Sequence, residues 1–127
     1  MKYGSVIVAD RHQELLEGLR GLLDTTFDTV VMVADKPSLF RTIEQIKPEL
    51  AVVDLSIRVS GENNIARQLK DSFPNQKFII LSVHDEKTVI DEVLSNGVTG
   101  FVLKRSIATD LIPAIEKVLQ GGVFVSS

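Results

Sequence analysis

Leu50-Ala51-Val52-Val53-Asp54-Leu55-Ser56 runs four apolar residues straight into an aspartate, entered from Lys47-Pro48-Glu49. A short continuous apolar run bounded this way reads as a strand buried on both faces. A carboxylate does not stay charged in such a core without a partner. Asp54 is therefore expected just past the strand's carboxyl end, where an α/β sheet opens into a crevice. The pattern has a twin near the N-terminus, where Ser5-Val6-Ile7-Val8-Ala9 precedes Asp10. One such aspartate would be read as a cap on the following helix, a task Asp does well. Two of them, with a serine and a lysine following two later strands, point instead to a shared site.

Working outward, the chain alternates. Residues 5–9 form the first strand, and Leu15, Leu16, Leu19, Leu22 and Leu23 line one face of a helix over about 12–24. Thr29 to Ala34 reads as a second strand. Pro37 suits the first turn of a second helix, which carries Leu39, Phe40, Ile43 and Ile46 and stops before Pro48. After the third strand at 50–54, Ser56 to Asn64 has no periodicity and reads as a loop. Ile65, Leu69 and Phe73 mark a third helix. Phe78-Ile79-Ile80-Leu81 is a fourth buried strand, ending at Ser82. Val89, Ile90, Val93 and Leu94 line a fourth helix closed by Asn96-Gly97. Thr99 to Leu103 is a fifth strand, followed at once by Lys104. A last helix carries Leu111, Ile112, Ile115, Val118 and Leu119, with Pro113 predicting an irregular first turn.

Five strands alternating with five helices demand a parallel sheet with right-handed crossovers and helices on both faces. The first and last helices are expected to share a face. The fold class is α/β, a doubly wound five-stranded parallel sheet. The carboxyl ends of parallel strands lie on one side, so Asp10, Asp54, Ser82 and Lys104 converge. Two carboxylates suit Mg²⁺, a lysine and a hydroxyl suit phosphoryl oxygens, and an Asp carboxylate is a competent phosphoryl-accepting nucleophile.

The bulk numbers narrow the class. The 127 residues suit one domain, and 44% hydrophobic content supports a packed core. No apolar run approaches the ~20 residues of a membrane helix, and Met1-Lys2-Tyr3-Gly4 leads into a strand, not a signal peptide. The absence of cysteine removes disulfides, Cys-ligated zinc and thiol catalysis. A net charge of −3 weighs against nucleic-acid binding by this segment. The expected compartment is the cytoplasm.

Val8-Ala9-Asp10-Arg11-His12, Val52-Val53-Asp54-Leu55, Leu81-Ser82-Val83-His84-Asp85 and Gly100-Phe101-Val102-Leu103-Lys104 together carry a resemblance. In order and spacing the chain resembles a receiver domain of a bacterial two-component response regulator. It is most similar to the subfamily whose receivers precede a LuxR-type helix-turn-helix output domain. The resemblance implies the flavodoxin-like (βα)5 fold with strand order 2-1-3-4-5, and a phosphoacceptor signalling domain, not an enzyme. It implies Asp54 as phosphoacceptor, Ser82 as the hydroxyl that contacts the phosphoryl group, Lys104 as the lysine that pairs with it, and Phe101 as the switch aromatic. Mg²⁺ would be held by Asp10, Asp54 and the backbone carbonyl of Ser56. The implied partners are a sensor histidine kinase and a second copy of the chain, through helix four, strand five and helix five or through helices one and five. DNA would be reached only through an output domain outside this chain. Residues 1–122 would be the receiver, and 123–127, with no further element to pack on, the start of a linker.

Two departures from the family pattern stand out. Receivers usually carry two adjacent acids after the first strand, the second being the direct metal ligand; here the second is Arg11. A guanidinium there either points to solvent or pairs with Asp10 or Asp54 and weakens the metal site. The loop after Asp54 carries Arg58 where proline is usual and is shortened near Gly61. Arg11 keeps open a second reading, a pseudo-receiver acting as a phosphorylation-independent interaction module. A phosphatase or dehalogenase would want an acid two residues after the nucleophile, where Ser56 stands. A flavin module would want an uncharged phosphate loop in place of Asp10-Arg11-His12-Gln13-Glu14. His12 and His84 read as hydrogen-bonding structural residues.

Overall fold

The computed structural model describes residues 2–59 and 64–127. The expected departure near Gly61 lies outside the described residues. The elements follow in order as β1 (Tyr3–Ala9), α1 (Gln13–Asp24), β2 (Phe27–Val33), α2 (Lys36–Ile46), β3 (Leu50–Asp54) and α3 (Ile65–Ser72). Then come β4 (Phe78–Ser82), α4 (Lys87–Ser95), β5 (Gly100–Leu103), a 3₁₀ turn (Lys104–Ser106), α5 (Ile107–Leu119) and β6 (Phe124–Val125). All pairings are parallel, and the sheet order is β2-β1-β3-β4-β5-β6. The predicted flavodoxin-like order is present, lengthened by one short strand.

Local signals explain the boundaries. Asp35 caps α2 by accepting the amide of Ser38 at 2.8 Å, and Pro37 sits in its first turn. Asn64 caps α3 by accepting the amide of Arg67 at 2.9 Å. Gly97 takes φ +92° after α4, the left-handed stop that Asn96-Gly97 announces. β2 begins earlier than its Val-rich core suggests, because Phe27 is drawn under α1, 1% exposed, against the ring of Tyr3 at 5.6 Å. Pro113 lies within α5 on its exposed side, where water reaches the carbonyl that the missing N–H leaves free. The irregular first turn expected from it is not seen: α5 is α-helical from Ile107, and a separate 3₁₀ turn over Lys104–Ser106 precedes it.

Side chains alternating along the strands feed two cores. Val6, Val8, Leu50, Val52, Ile79, Leu81 and Val102 pack with α1 and α5 on one face. Ile7, Ala9, Ala51, Val53, Phe78, Ile80, Phe101 and Leu103 pack with α2, α3 and α4 on the other. The expected sharing of a face by α1 and α5 is what is seen.

The segment read as free linker is not free. Phe124 donates its amide to Thr99 O at 2.9 Å and Ser126 to Phe101 O at 2.9 Å, so the tail pairs with the open edge of β5. Ser126, 5% exposed, accepts the amide of Leu103 on its hydroxyl at 3.1 Å and donates to Asp110 at 2.7 Å. Two-residue strands leave almost no periodicity in a sequence, and this one exists only because β5 offers an unpaired edge.

Gly100 shows how tightly α5 lies on the sheet. A Cβ built there would stand 2.6 Å from Ile79 Cγ1 and 3.0 Å from Val118 Cγ2. Gly100→Ala is expected to cost about 1–3 kcal/mol by overpacking, read as a lower urea midpoint with unchanged slope.

Candidate functional site

The strand register sets the chemistry. Ala9 pairs with Val53, Asp54 with Leu81, and Ser82 with Leu103, so the carboxyl ends of β1, β3, β4 and β5 lie level. Asp10 and Asp54 are 0% and 2% exposed. Lys104, leaving β5, places its ammonium 2.8 Å from Asp10 Oδ2 and 3.2 Å from Asp54 Oδ2. A buried pair of carboxylates thus shares one cation, as the need for a partner required.

Three strand ends use the same device. Asp10 Oδ1 accepts the amide of His12 at 2.9 Å, Asp54 Oδ1 that of Ser56 at 3.2 Å, and Ser82 Oγ that of His84 at 2.9 Å. These are Asx and ST turns, in which a short side chain bonds the backbone two residues on. Each turn anchors its strand end and swings the residue two positions later over the site. Ser56 uses this to donate its hydroxyl to Asp54 Oδ2 at 2.7 Å.

His12 uses it in the same way. Its Nδ1 lies 2.8 Å from Asp10 Oδ1, 4.0 Å from Asp54 Oδ2 and 3.4 Å from Lys104 Nζ. It hydrogen-bonds as expected, but it also touches three site groups. The signal available in the sequence was the Asp-x-His spacing itself. Arg11, between the two, is exposed, and among the described residues it makes no ion pair. Of the two dispositions open to its guanidinium, the structure shows the solvent one.

Ser82 lines the same cavity of about 320 Å³ as His12, Asp54, Ser56 and Lys104, but its hydroxyl donates to His84 O at 3.2 Å and not toward Asp54. His84 is exposed, 3.7 Å from Glu86. Phe101 is fully buried among the α2–α4 core. A larger cavity of about 480 Å³, beside Ile43, Pro48, Phe73 and Gln76, contains none of these groups.

Burial pushes the Asp10 carboxyl up, but the Lys104 ammonium and the two N–H groups of His12 outweigh it and hold Asp10 below the usual carboxylate range. Its Oδ2 is buried and faces the Lys104 ammonium at 2.8 Å. Carboxylate and imidazole donors of Asp10, Asp54 and His12 lie within 4.8 Å of one another. Two buried acids side by side suit a divalent cation, a neutralising role that the Lys104 ammonium fills between their Oδ2 atoms.

The family described as Response regulator receiver domain matches residues 6–116. The transcriptional regulatory protein DegU of Brevibacillus brevis is 28% identical over 122 residues, 94% of this chain and 52% of the relative. The oxygen regulatory protein NreC of Staphylococcus aureus (strain JH9) is 29% identical over 123 residues, 94% of this chain and 57% of the relative. This chain therefore spans about half the length of these relatives. A structure of the RcsB response regulator of Salmonella typhimurium superposes with a TM-score of 0.89 at 25% identity, over 100% of this chain and 65% of the other. The isolated RcsB receiver with phosphomimetic BeF₃⁻ gives 0.87 at 24% identity, over 99% and 95%, a likeness of fold.

Proposed function

Because this chain belongs to the response regulator receiver domain family, with LuxR-type regulators among its matches, we propose that Asp54 accepts a phosphoryl group from a sensor histidine kinase in the cytoplasm and switches a downstream output. The observation that carries this is a carboxylate on an open cavity, its Oδ2 3.2 Å from the Lys104 ammonium. Asp54 supplies the oxygen that forms the new P–O bond as the donor's P–N bond breaks. Lys104 then pairs with the transferred oxygens. Ser82 reaches the same oxygens once its hydroxyl lets go of the 3.2 Å bond to His84 O. Phe101, packed beside β4, shifts with that strand end and carries the change to the α4–β5–α5 surface. That surface, or α1 with α5, also serves self-association. DNA is reached through an output domain outside this chain, a reading supported by the RcsB–DNA complex, of which this chain covers 65%.

Asp10, Asp54 and the Ser56 carbonyl would hold Mg²⁺, which supplies charge neutralisation between the acceptor and an incoming phosphoryl group. Incubation with acetyl phosphate and Mg²⁺, followed by peptide mass mapping, tests the reading. One phosphoryl group on the peptide containing Asp54 is expected; none, from acetyl phosphate or from a kinase, sinks it. The alternative, a pseudo-receiver acting as a phosphorylation-independent interaction module because Arg11 stands in place of an acidic metal ligand, predicts no labelling in the same experiment.

A further inference from the structure

Resting on the reading of Asp54 as a phosphoacceptor, we propose that β6 is a detachable latch whose hold on β5 is set by the state of the Asp54 pocket. Three groups of β5 face the tail. The carbonyls of Thr99 and Phe101 accept the amides of Phe124 and Ser126, each at 2.9 Å, and the amide of Leu103 donates to Ser126 Oγ at 3.1 Å. The Ser126 hydroxyl in turn donates to Asp110 Oδ2 at 2.7 Å. One buried side chain thus ties the tail both to β5 and to the first turn of α5. Little else holds it. Val123 and Val125 are exposed, Phe124 is half-buried, and Gly121 at φ +88° turns the chain toward the strand. A strand with so few buried apolar contacts opens locally, at a fraction of the cost of global unfolding.

Leu103 joins the tail to the pocket. Its amide holds Ser126, and it pairs in register with Ser82 on the cavity wall. The next residue, Lys104, reaches Asp10 and Asp54 at 2.8 and 3.2 Å. The inward position of that ammonium helps to fix the peptide that Ser126 grips. A phosphoryl group on Asp54 carries its oxygens farther out into the cavity than the carboxylate, and the ammonium that pairs with them is drawn away from Asp10. The 3₁₀ turn that starts at Lys104 is drawn with it. The Leu103–Ser126 bond at 3.1 Å has little slack, since beyond about 3.5 Å it is no longer a hydrogen bond. Its loss leaves a buried hydroxyl one partner short and loosens the strand. Release then frees the segment that leads toward an output domain. The coupling is reciprocal, so a docked tail opposes the phosphoryl group.

Hydrogen exchange of the intact 127-residue chain, followed amide by amide by NMR, tests this with BeF₃⁻ and Mg²⁺ as the probe and fluorine NMR to register bound BeF₃⁻. Binding should speed exchange at Phe124 and Ser126 at least about fivefold, the lower end of ordinary coupling between sites, and leave Val6 and Val52 no faster. Lys104→Met, which removes the ammonium with no phosphoryl mimic present, should speed the same two amides. Leu39→Ala lowers global stability through a cavity in the other core and should not. Ser126→Ala should loosen the tail with or without BeF₃⁻ and tighten BeF₃⁻ binding by the same factor, whereas the exposed Ser127→Ala should change neither. Bound BeF₃⁻ with unchanged exchange at Phe124 and Ser126 overturns the latch and leaves the phosphoacceptor reading standing. No bound BeF₃⁻ speaks against the phosphoacceptor reading, and Lys104→Met then decides the latch. Faster exchange at both amides upholds it; unchanged exchange, or an equal gain in Leu39→Ala, overturns it.

Discussion

Asp54→Asn is expected to abolish phosphoryl incorporation and yet to unfold no more easily than the wild type. The loss follows because the amide has no anionic oxygen to attack phosphorus. Stability behaves otherwise than for most buried polar substitutions. Asp10 and Asp54 offer carboxylate oxygens within 4.8 Å of each other, both buried, around the single cation of Lys104. At an effective dielectric of about 20, two like charges at that separation repel by about 3–4 kcal/mol. Removing the Asp54 charge relieves that repulsion and the cost of holding a second buried anion. It forfeits the attraction to Lys104 at 3.2 Å. The ammonium still has Asp10 at 2.8 Å, and the asparagine carbonyl still accepts the Ser56 amide. These opposed terms nearly cancel, so urea unfolding should place the variant within about 1 kcal/mol of the wild type or above it. A loss of more than about 2 kcal/mol would mean that the Asp54–Lys104 pair holds the fold together, and the balance drawn here would be wrong.

The parts of the site visible in the sequence are those fixed by strand ends. Leu50–Asp54 and Phe78–Ser82 are buried along their whole length, so an apolar run followed by a polar residue locates both the strand and its edge. Parallel pairing then makes Asp10, Asp54, Ser82 and Lys104 neighbours without further information. Orientation beyond the edge is another matter. Whether Arg11 or His12 turns inward depends on the Asx turn that Asp10 makes with the His12 amide, a bond of 2.9 Å that hydropathy does not register. The Ser82 hydroxyl likewise bends onto His84 for a local reason. β6 is out of reach for a third reason: Phe124 and Val125 pair only because Thr99 and Phe101 leave carbonyls open on the edge of β5.

Lys104→Met should produce the opposite imbalance to Asp54→Asn, with the largest stability change of any single substitution in the pocket. Lys104 is the shared counter-charge of two buried carboxylates, at 2.8 and 3.2 Å. Taking away one partner of a buried ion pair costs about 3–5 kcal/mol, because the remaining charge is left uncompensated. Here two charges are left, with only the imidazole of His12 close by. The pH dependence makes the prediction specific. In the wild type Asp10 is held below its unfolded value of about 3.9. Its contribution is present above that pH and is lost as the pH falls through the lower folded value. Without Lys104, burial and the neighbouring carboxylate push the Asp10 carboxyl above its unfolded value. The folded state then binds the proton more tightly than the unfolded chain. The variant should gain stability as the pH is lowered from about 7 toward about 4, where the wild type gains none from this group. Adding Asp54→Asn to Lys104→Met should recover much of the loss, since one anion in place of two is then left for His12 to hold. Urea denaturation of the three variants at about pH 7 and about pH 4 reads all of this. If Lys104→Met unfolds like the wild type at neutral pH, with the same slope toward acid, Asp10 and Asp54 do not depend on that ammonium, and the charge balance proposed for the pocket fails.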